Sequence, residues 1–127
     1  MLIHLDLQSD IPIYSQLVNQ ILQGIANGSL QPGEALPSVR SLASDLGINL
    51  HTVNKSYTLL KQDGFIQVHR QKGVVVQPDG MPGVTPDYLT KLDNQLPPLV
   101  AEAICRGMSE EELLDLIQSK YKQVKST

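Results

Sequence analysis

Residues Leu36 to Phe65 read LPSVRSLASDLGINLHTVNKSYTLLKQDGF and contain two helical patterns separated by a few residues around one glycine. Its first half has apolar residues at helical spacing between Ser38, which suits an N-cap, and Gly47, which suits a helix end. Its second half repeats this arrangement between Asn49 and Gly64. Two helices joined by a short turn with a glycine form a helix-turn-helix pattern. The predicted inward residues are Val39, Leu42, Ala43 and Leu46 in the first helix and Val53, Tyr57 and Leu60 in the second.

The second helix of this pair also has a polar face. A polar helix face is often only hydrated, so its meaning depends on the segments beside it. At about 100° per residue, the side chains pointing away from the inward stripe are His51, Asn54, Lys55, Thr58 and Lys61.

Strand-forming residues follow this helix. Residues 65–78 read FIQVHRQKGVVVQP, two runs with strand preference on either side of a basic turn. Gly73 supplies the permissive backbone that a hairpin turn needs. A helix-turn-helix followed by a hairpin with Arg70 and Lys72 at its tip is a winged helix. The alternative is an ordinary three-helix core whose basic hairpin is only solvated. The positive charge shared by the helix and the hairpin favours the winged helix.

A further helix is predicted upstream, from Pro12 to Asn27. Proline is favoured at the first helical position, and Gly24 interrupts the pattern only near its end. The apolar residues that recur every four positions are Ile13, Leu17, Ile21 and Ile25.

Charge is unevenly distributed along the chain. The 127 residues contain 10 Lys and Arg against 13 Asp and Glu, a net charge of −3, which by itself disfavours a nucleic-acid partner. The excess acid lies in residues 77–127. Residues 49–76 are locally positive, because they contain a single acid, Asp63, against Lys55, Lys61, Arg70 and Lys72.

Several classes of protein are disfavoured. No apolar run reaches the about 18 residues of a membrane span, and the first residues lack the pattern of a signal peptide. The lone Cys105 suits a reducing cytoplasm and is expected to be a buried structural thiol. The histidines and Cys105 have no metal-ligand spacing, and no acid–base set stands out, so no enzyme activity, metal or cofactor is expected. His4 and His69 carry no further signal.

The segment from Ile13 to Ile66 carries a long composite motif, and it closely resembles the DNA-binding domain of GntR-type bacterial transcription regulators. The run from Asn49 to Tyr57, together with the short tail after the wing, resembles the YtrA-like subgroup. The matching residues are Tyr14/Gln16, Ile25/Gly28, Pro32/Gly33/Leu36/Pro37/Ser38, Arg40/Leu42/Ala43, Leu46/Gly47, Thr52/Val53 and Gly64.

The resemblance implies roles at matching positions. Arg40 and Thr52 are expected to contact the DNA backbone, and the wing tip, Arg70 to Gly73, is expected to enter the minor groove. Two positions depart from the family pattern. Many members have a guanine-reading arginine where Leu50 stands, whereas leucine can at most pack on a thymine methyl. Many also have glycine where Gln71 stands, and this glutamine either reads the groove or blocks close approach.

The polar face of the second helix is therefore interpreted as a reading surface in the major groove. Asn54 is suited to adenine and Lys55 to guanine or phosphate, while Ser38 and Thr52 suit phosphate. His51 is either a plain surface residue or a group that titrates near neutrality. The complete set of predicted DNA contacts is Ser38, Arg40, Leu50, His51, Thr52, Asn54, Lys55, Arg70, Gln71, Lys72 and Gly73.

The tail after the wing forms a second predicted region. A turn-rich linker, residues 77–86, precedes two or three helical patterns, in which Pro97 and Pro98 either kink or restart a helix. Ser109 and Glu112 form a capping box for the last helix. Two amphipathic helices cannot bury both apolar faces against each other alone. They pack either on the winged domain or on another copy of the chain. The homodimer is favoured because helix-turn-helix proteins commonly read two half-sites. The predicted interface residues are Leu92, Leu96, Leu113 and Ile117.

The sequence thus predicts a mostly α (α+β) protein. Residues 1–78 form a winged helix-turn-helix DNA-binding domain, and residues 79–127 form a linker and a C-terminal helical dimerisation region. The predicted function is that of a cytoplasmic homodimeric repressor that binds an inverted-repeat operator in double-stranded DNA, with no membrane and no cofactor. The alternative is a winged-helix protein-interaction module that does not bind DNA. The sequence does not identify a small-molecule effector.

Overall fold

Three helices and a hairpin form a winged helix, and two long helices follow it, in a computed structural model that describes residues 2–126. This confirms the predicted mostly α winged helix-turn-helix. The chain forms two compact units, the first ending at Pro82 and the second beginning at Gly83. The domain boundary after Pro78 stays a prediction. The elements are α1 (Ile13–Ala26), α2 (Val39–Leu46), α3 (Leu50–Gln62), β1 (Ile66–His69), β2 (Gly73–Val76), α4 (Pro86–Cys105) and α5 (Glu110–Ser126).

Helix α1 begins and ends one residue inside its predicted bounds, and it buries Leu17 and Ile21. Its buried Gln16 anchors the segment ahead of the helix. The Gln16 amide donates to the carbonyls of Asp6 and Ile11, each at 2.9 Å, and its Oε1 accepts from the Asp6 N–H at 2.8 Å. The motif glutamine therefore has a structural role.

Packing against Leu30 explains why a glycine, Gly24, interrupts the α1 pattern. A Cβ at this position would lie 2.8 Å from Cδ1 of Leu30. Leu30 is buried, and its N–H donates to the Gly24 carbonyl at 2.9 Å. The glycine lets the chain fold back closely over the end of α1.

The two helix starts in the helix-turn-helix are capped as predicted. Ser38 Oγ accepts from the Ser41 N–H at 3.1 Å, and Asn49 Oδ1 accepts from the His51 N–H at 2.7 Å. These bonds satisfy N–H groups that have no partner inside their helix. Between the helices, Gly47 has φ of 66°, a left-handed conformation that glycine adopts without strain.

Helix α3 forms the centre of the core. Its inward residues Val53, Tyr57 and Leu60 are all buried, as predicted. The Tyr57 hydroxyl donates to the Pro37 carbonyl at 2.7 Å, and burial raises the pKa of Tyr57 to about 12. The buried Ser56 hydroxyl donates to the Tyr14 carbonyl at 2.9 Å, which joins α3 to the first turn of α1.

The wing is an antiparallel hairpin in which Ile66 pairs with Val76 and His69 pairs with Gly73. The segment between α1 and α2 adds a short edge to it. The Leu36 N–H donates to the Val74 carbonyl at 2.8 Å, and the Val76 N–H donates to the Glu34 carbonyl at 2.9 Å. The hairpin is thereby tied to the chain that leads into α2.

The second unit consists of α4 and α5. Helix α4 runs through Pro97 and Pro98 without restarting. The capping box of α5 is confirmed, since Ser109 and Glu112 each donate a backbone N–H to the other's side chain at 3.1 Å. These bonds lower the pKa of Glu112. The expectation of a buried Cys105 thiol is wrong, because Cys105 is exposed near the end of α4.

Candidate nucleic-acid interface

The first two turns of α3 expose a polar surface. His51 and Asn54 are exposed, and the side chain of Asn54 has no hydrogen-bond partner within residues 2–126. A carboxamide in this state is free to pair with a base edge. Thr52 is half-buried, and its carbonyl, 3.2 Å from the Ser56 hydroxyl oxygen, shares the one Ser56 hydroxyl proton with the Tyr14 carbonyl. Leu50 is half-buried and packs against the core, so less of it is available to DNA than the sequence suggested.

Lys55 contacts an aromatic ring on another helix. Its Nζ lies 3.8 Å from the centroid of the Tyr14 ring, a cation–π geometry. Tyr14 also accepts a hydrogen bond from Ser56 through its carbonyl. The Lys55 ammonium of the free protein is therefore held on the side of α3 that faces α1. Sequence reasoning missed this role of Tyr14, which it treated only as part of a motif.

The start of α2 offers a second polar group. Ser38 Oγ already accepts a hydrogen bond as the N-cap, yet its hydroxyl proton stays available to a phosphate oxygen. Arg40, two residues further along, is exposed. The helix N-terminus itself favours an anion, since its first N–H groups point outward and the helix dipole is positive there.

The wing tip, which we define as Arg70, Gln71, Lys72 and Gly73, is fully on the surface. Gly73 has φ of 76°, a left-handed conformation that glycine adopts without strain. The turn is held by a side chain that the sequence did not single out. His69 Nδ1 accepts from the N–H groups of Gln71 at 3.1 Å and of Lys72 at 3.2 Å.

These basic side chains are not neutralised by the protein. Across residues 2–126, the one ion pair joins Arg106 to Glu102, at 2.7 Å, in the second unit. The cations of Arg40, Lys55, Arg70 and Lys72 therefore have no acidic partner in the described chain. Unpaired cations on one unit are what a phosphate backbone requires.

All eleven predicted DNA contacts lie in the first unit, and the four predicted interface residues lie in the second. Helix α3 packs against α2 and against β1, which holds the α2 start, the α3 surface and the wing in one unit. His69 and Tyr14 are the two residues that the sequence did not assign. Neither gave a local signal, because the partners of Tyr14 are distant in sequence and the role of His69 depends on the turn geometry.

Comparison with known proteins identifies this arrangement. Residues 13–76 match the family model described as bacterial regulatory proteins, gntR family. The chain belongs to the GntR family. The matched range begins at α1 and ends with β2, so it covers the helix-turn-helix and the wing.

Relatives extend the GntR match over the tail. The HTH-type transcriptional repressor YtrA of Bacillus subtilis is 32% identical over 124 residues, which is 98% of this chain and 95% of that protein. A structure of YtrA from Sulfolobus acidocaldarius, a GntR-family transcription factor, is 38% identical with a TM-score of 0.56, covering 96% and 98% of the two chains. A transcriptional antiterminator from Listeria monocytogenes is 26% identical with a TM-score of 0.91, covering 100% and 95%. These matches confirm the YtrA-like assignment.

GntR-family membership sets the class of activity. The chain is a DNA-binding transcription regulator, and the prediction that it is not an enzyme is confirmed. Among residues 2–126, no helix combines the length and the apolar composition that crossing a membrane requires.

Proposed function

We propose that this protein is a repressor that binds an inverted-repeat operator as a homodimer, with α3 in the major groove and the wing tip in the minor groove. The proposal rests on the surface formed by the start of α2, the first two turns of α3 and the wing tip. An exposed Asn54 without a partner lies on the same unit as four cations that no acid neutralises. Base-edge contacts supply specificity, and phosphate contacts supply affinity and register.

The contacts divide into two classes by their chemistry. Asn54 is suited to the N6 and N7 atoms of adenine, and His51 lies beside it on the exposed surface. Ser38, Arg40 and Thr52 are suited to phosphate oxygens, which carry no sequence information. At the wing tip, Arg70 and Lys72 provide cations of the kind that a narrow, electronegative minor groove attracts.

The homodimer is supported by the second unit. Within the described chain, neither α4 nor α5 has a buried residue. Leu96 is 45% exposed and Ile117 is 50% exposed, whereas Leu92 and Leu113 are half-buried. Helical stability in water comes mainly from packing of an apolar face, so these faces require a partner. A second copy supplies one and also brings a second α3.

Repression is supported by the name of a related protein. The Bacillus subtilis relative that aligns with 98% of this chain is named a transcriptional repressor. A dimeric winged helix lowers transcription simply by occupying a site that overlaps a promoter. The Listeria protein of similar fold is named an antiterminator, so the direction of regulation is to be measured directly.

The test is selection of binding sites from a random duplex library by the full-length chain. The enriched sites are expected to form an inverted repeat whose half-site centres lie about 34–36 Å apart or a multiple of that distance. Affinity for the selected site should fall with salt, with a clearly negative log–log slope. Transcription in vitro from a promoter that overlaps the repeat should decrease when the protein is added.

A different experimental result would contradict each part of the proposal. Enrichment of single, unrepeated half-sites would overturn the homodimer. A salt slope near zero would contradict recognition through phosphate. Increased transcription from the overlapping promoter would refute the repressor assignment while leaving operator binding in place.

A further inference from the structure

The wing turn depends on one imidazole nitrogen. His69 Nδ1 lies 3.1 Å from the Gln71 nitrogen and 3.2 Å from the Lys72 nitrogen, and its single lone pair accepts a shared hydrogen bond from both N–H groups. His69 is the last residue of β1 and pairs with Gly73, the first residue of β2. The side chain at the base of the turn therefore ties down the two residues at its tip.

These two bonds determine the chemical state of the imidazole. A nitrogen that accepts an N–H cannot itself carry a proton, so Nδ1 is bare and the proton of the neutral ring is on Nε2. The tautomer is thus defined by the backbone of the turn. The same function is performed elsewhere in this chain by carboxamides, since Asn27 Oδ1 accepts from the Ser29 N–H at 2.9 Å and Asn49 Oδ1 from the His51 N–H at 2.7 Å.

The bonds matter because the turn has little else to order it. The N–H groups of Gln71 and Lys72 lie beyond the last pair of the hairpin ladder, which ends at His69 and Gly73. Both residues are exposed, as is Arg70 between them and the strand. Without the imidazole, the tip would lose backbone order, and that order would have to be regained on DNA at a cost in conformational entropy.

We propose that His69 is a positioning residue for DNA recognition: its bare Nδ1 holds the backbone of Gln71 and Lys72 so that the wing tip is preorganised for the groove. The role rests on the proposed contact between the wing and DNA. It differs from that of Arg70 and Lys72, because His69 acts through the backbone of the tip.

Two variants separate the hydrogen-bond acceptor from the bulk of the side chain. His69→Leu removes the hydrogen-bond acceptor and keeps a side chain of roughly similar bulk on the strand. His69→Asn keeps an acceptor that reaches the N–H two residues ahead, as Asn27 and Asn49 do in this chain. His4→Leu is the matched control, since it removes an exposed histidine in the N-terminal segment.

The first measurement uses the full-length protein without DNA. Long-range ¹H–¹⁵N spectra, recorded at a pH where the His69 ring is neutral, should show Nδ1 as the unprotonated nitrogen. Hydrogen exchange of the Gln71 and Lys72 amides should be faster in His69→Leu than in the wild type. In His69→Asn, the Gln71 amide should exchange more slowly than it does in His69→Leu. A protonated Nδ1 in the wild type, or equal exchange in all three proteins, would overturn the proposal.

The second measurement is affinity for the selected operator. Removal of one or two such bonds predicts binding weaker by on the order of three- to tenfold for His69→Leu. His69→Asn should recover most of this affinity, and His4→Leu should bind like the wild type. Equal affinity of His69→Leu and the wild type would overturn the positioning role.

Failure of the wing contact itself has a different signature. If Arg70→Ala/Gln71→Ala/Lys72→Ala binds the operator as tightly as the wild type, the side chains of the wing tip do not contact DNA, and the role of His69 in recognition is overturned with them. The exchange data on the free protein would still report whether His69 orders the turn. The two failures are therefore distinguishable.

Discussion

The ammonium of Lys55 lies over the ring of Tyr14, with Nζ 3.8 Å from the ring centroid. The two residues are on α3 and α1, and the Ser56 hydroxyl joins the same helices through the Tyr14 carbonyl at 2.9 Å. A residue of the predicted reading surface is thereby coupled to the helix behind it. The contact restricts the Lys55 side chain before any DNA is bound.

This coupling has a measurable energy. In a double-mutant cycle with Tyr14→Leu and Lys55→Met, we expect a coupling of about 0.5–1 kcal/mol in the free energy of unfolding, the range for exposed cation–π pairs. Tyr14→Phe keeps the ring face and should keep most of the coupling. Urea denaturation of the four proteins gives the value. Additive effects of the two substitutions would show that the contact contributes nothing.

The wing cations should supply affinity that tolerates changes of sequence. Arg70→Ala/Lys72→Ala is expected to weaken binding to both operator and random duplex, and to reduce the salt slope by about one for each phosphate that the variant no longer neutralises. Binding titrations over a range of salt concentrations measure this. Lys91→Ala/Lys125→Ala removes the same charge from the second unit and serves as the control. An unchanged slope in a folded wing variant would contradict the prediction.

Asn54 should supply specificity. Asn54→Ala is expected to cost about 1–3 kcal/mol on the operator if the carboxamide contacts a base edge, with a smaller effect on random duplex. Asn19→Ala, an exposed asparagine on α1, controls for the substitution itself. Equal effects on operator and random duplex would assign Asn54 to the backbone and remove it from the reading surface.

The tail should determine the oligomeric state. Leu96→Glu/Ile117→Glu places charge on two exposed apolar positions of α4 and α5 and is expected to yield a monomer at micromolar concentration. Operator binding should weaken strongly, because the second half-site is then no longer engaged intramolecularly. Sedimentation measures the mass. Leu7→Glu, in the N-terminal segment, is the control, since Leu7 is 75% exposed. A wild-type chain that stays monomeric with and without operator would refute the dimer.

Tyr57 should make stability depend on alkaline pH. Burial raises its pKa to about 12, whereas the phenol of the unfolded chain has a pKa of about 10. Below pH about 10 the phenol is protonated in both the folded and the unfolded chain. The full stabilisation by the buried, neutral Tyr57 is therefore present there. Between these values only the unfolded chain releases its proton, so the free energy of unfolding should fall by on the order of 2–3 kcal/mol in total.

The Tyr57→Phe protein isolates this effect from other groups that titrate in the same range. It lacks the ionisable hydroxyl, so the wild type should lose its advantage in stability as the pH rises through this window and should become the less stable of the two proteins at its upper end. At neutral pH it should be less stable by about 0.5–1.5 kcal/mol, because the Pro37 carbonyl loses its donor. Tyr121→Phe is the control, since Tyr121 is 69% exposed. A pH-independent difference would contradict the buried state of the phenol.

The elements of the first unit were predictable from sequence because their causes are local. The apolar repeat of α1, the caps Ser38 and Asn49, and the turn glycines Gly47 and Gly73 all act within a few residues of themselves. Helical and strand periodicity need no knowledge of distant partners. The same holds for the Ser109–Glu112 capping box of α5.

Features that join distant or irregular parts of the backbone could not be predicted from the sequence. Tyr14 and Lys55 meet because α1 packs on α3, and Gly24 lies in close contact with Leu30 because the chain folds back over the end of α1. Local periodicity contains no information on either contact. The half-burial of Leu50 and the exposure of Cys105 likewise depend on which surfaces meet. The double hydrogen bond to His69 Nδ1 depends on the dihedral angles of a turn, and composition predicts that a turn is present without predicting where its N–H groups point.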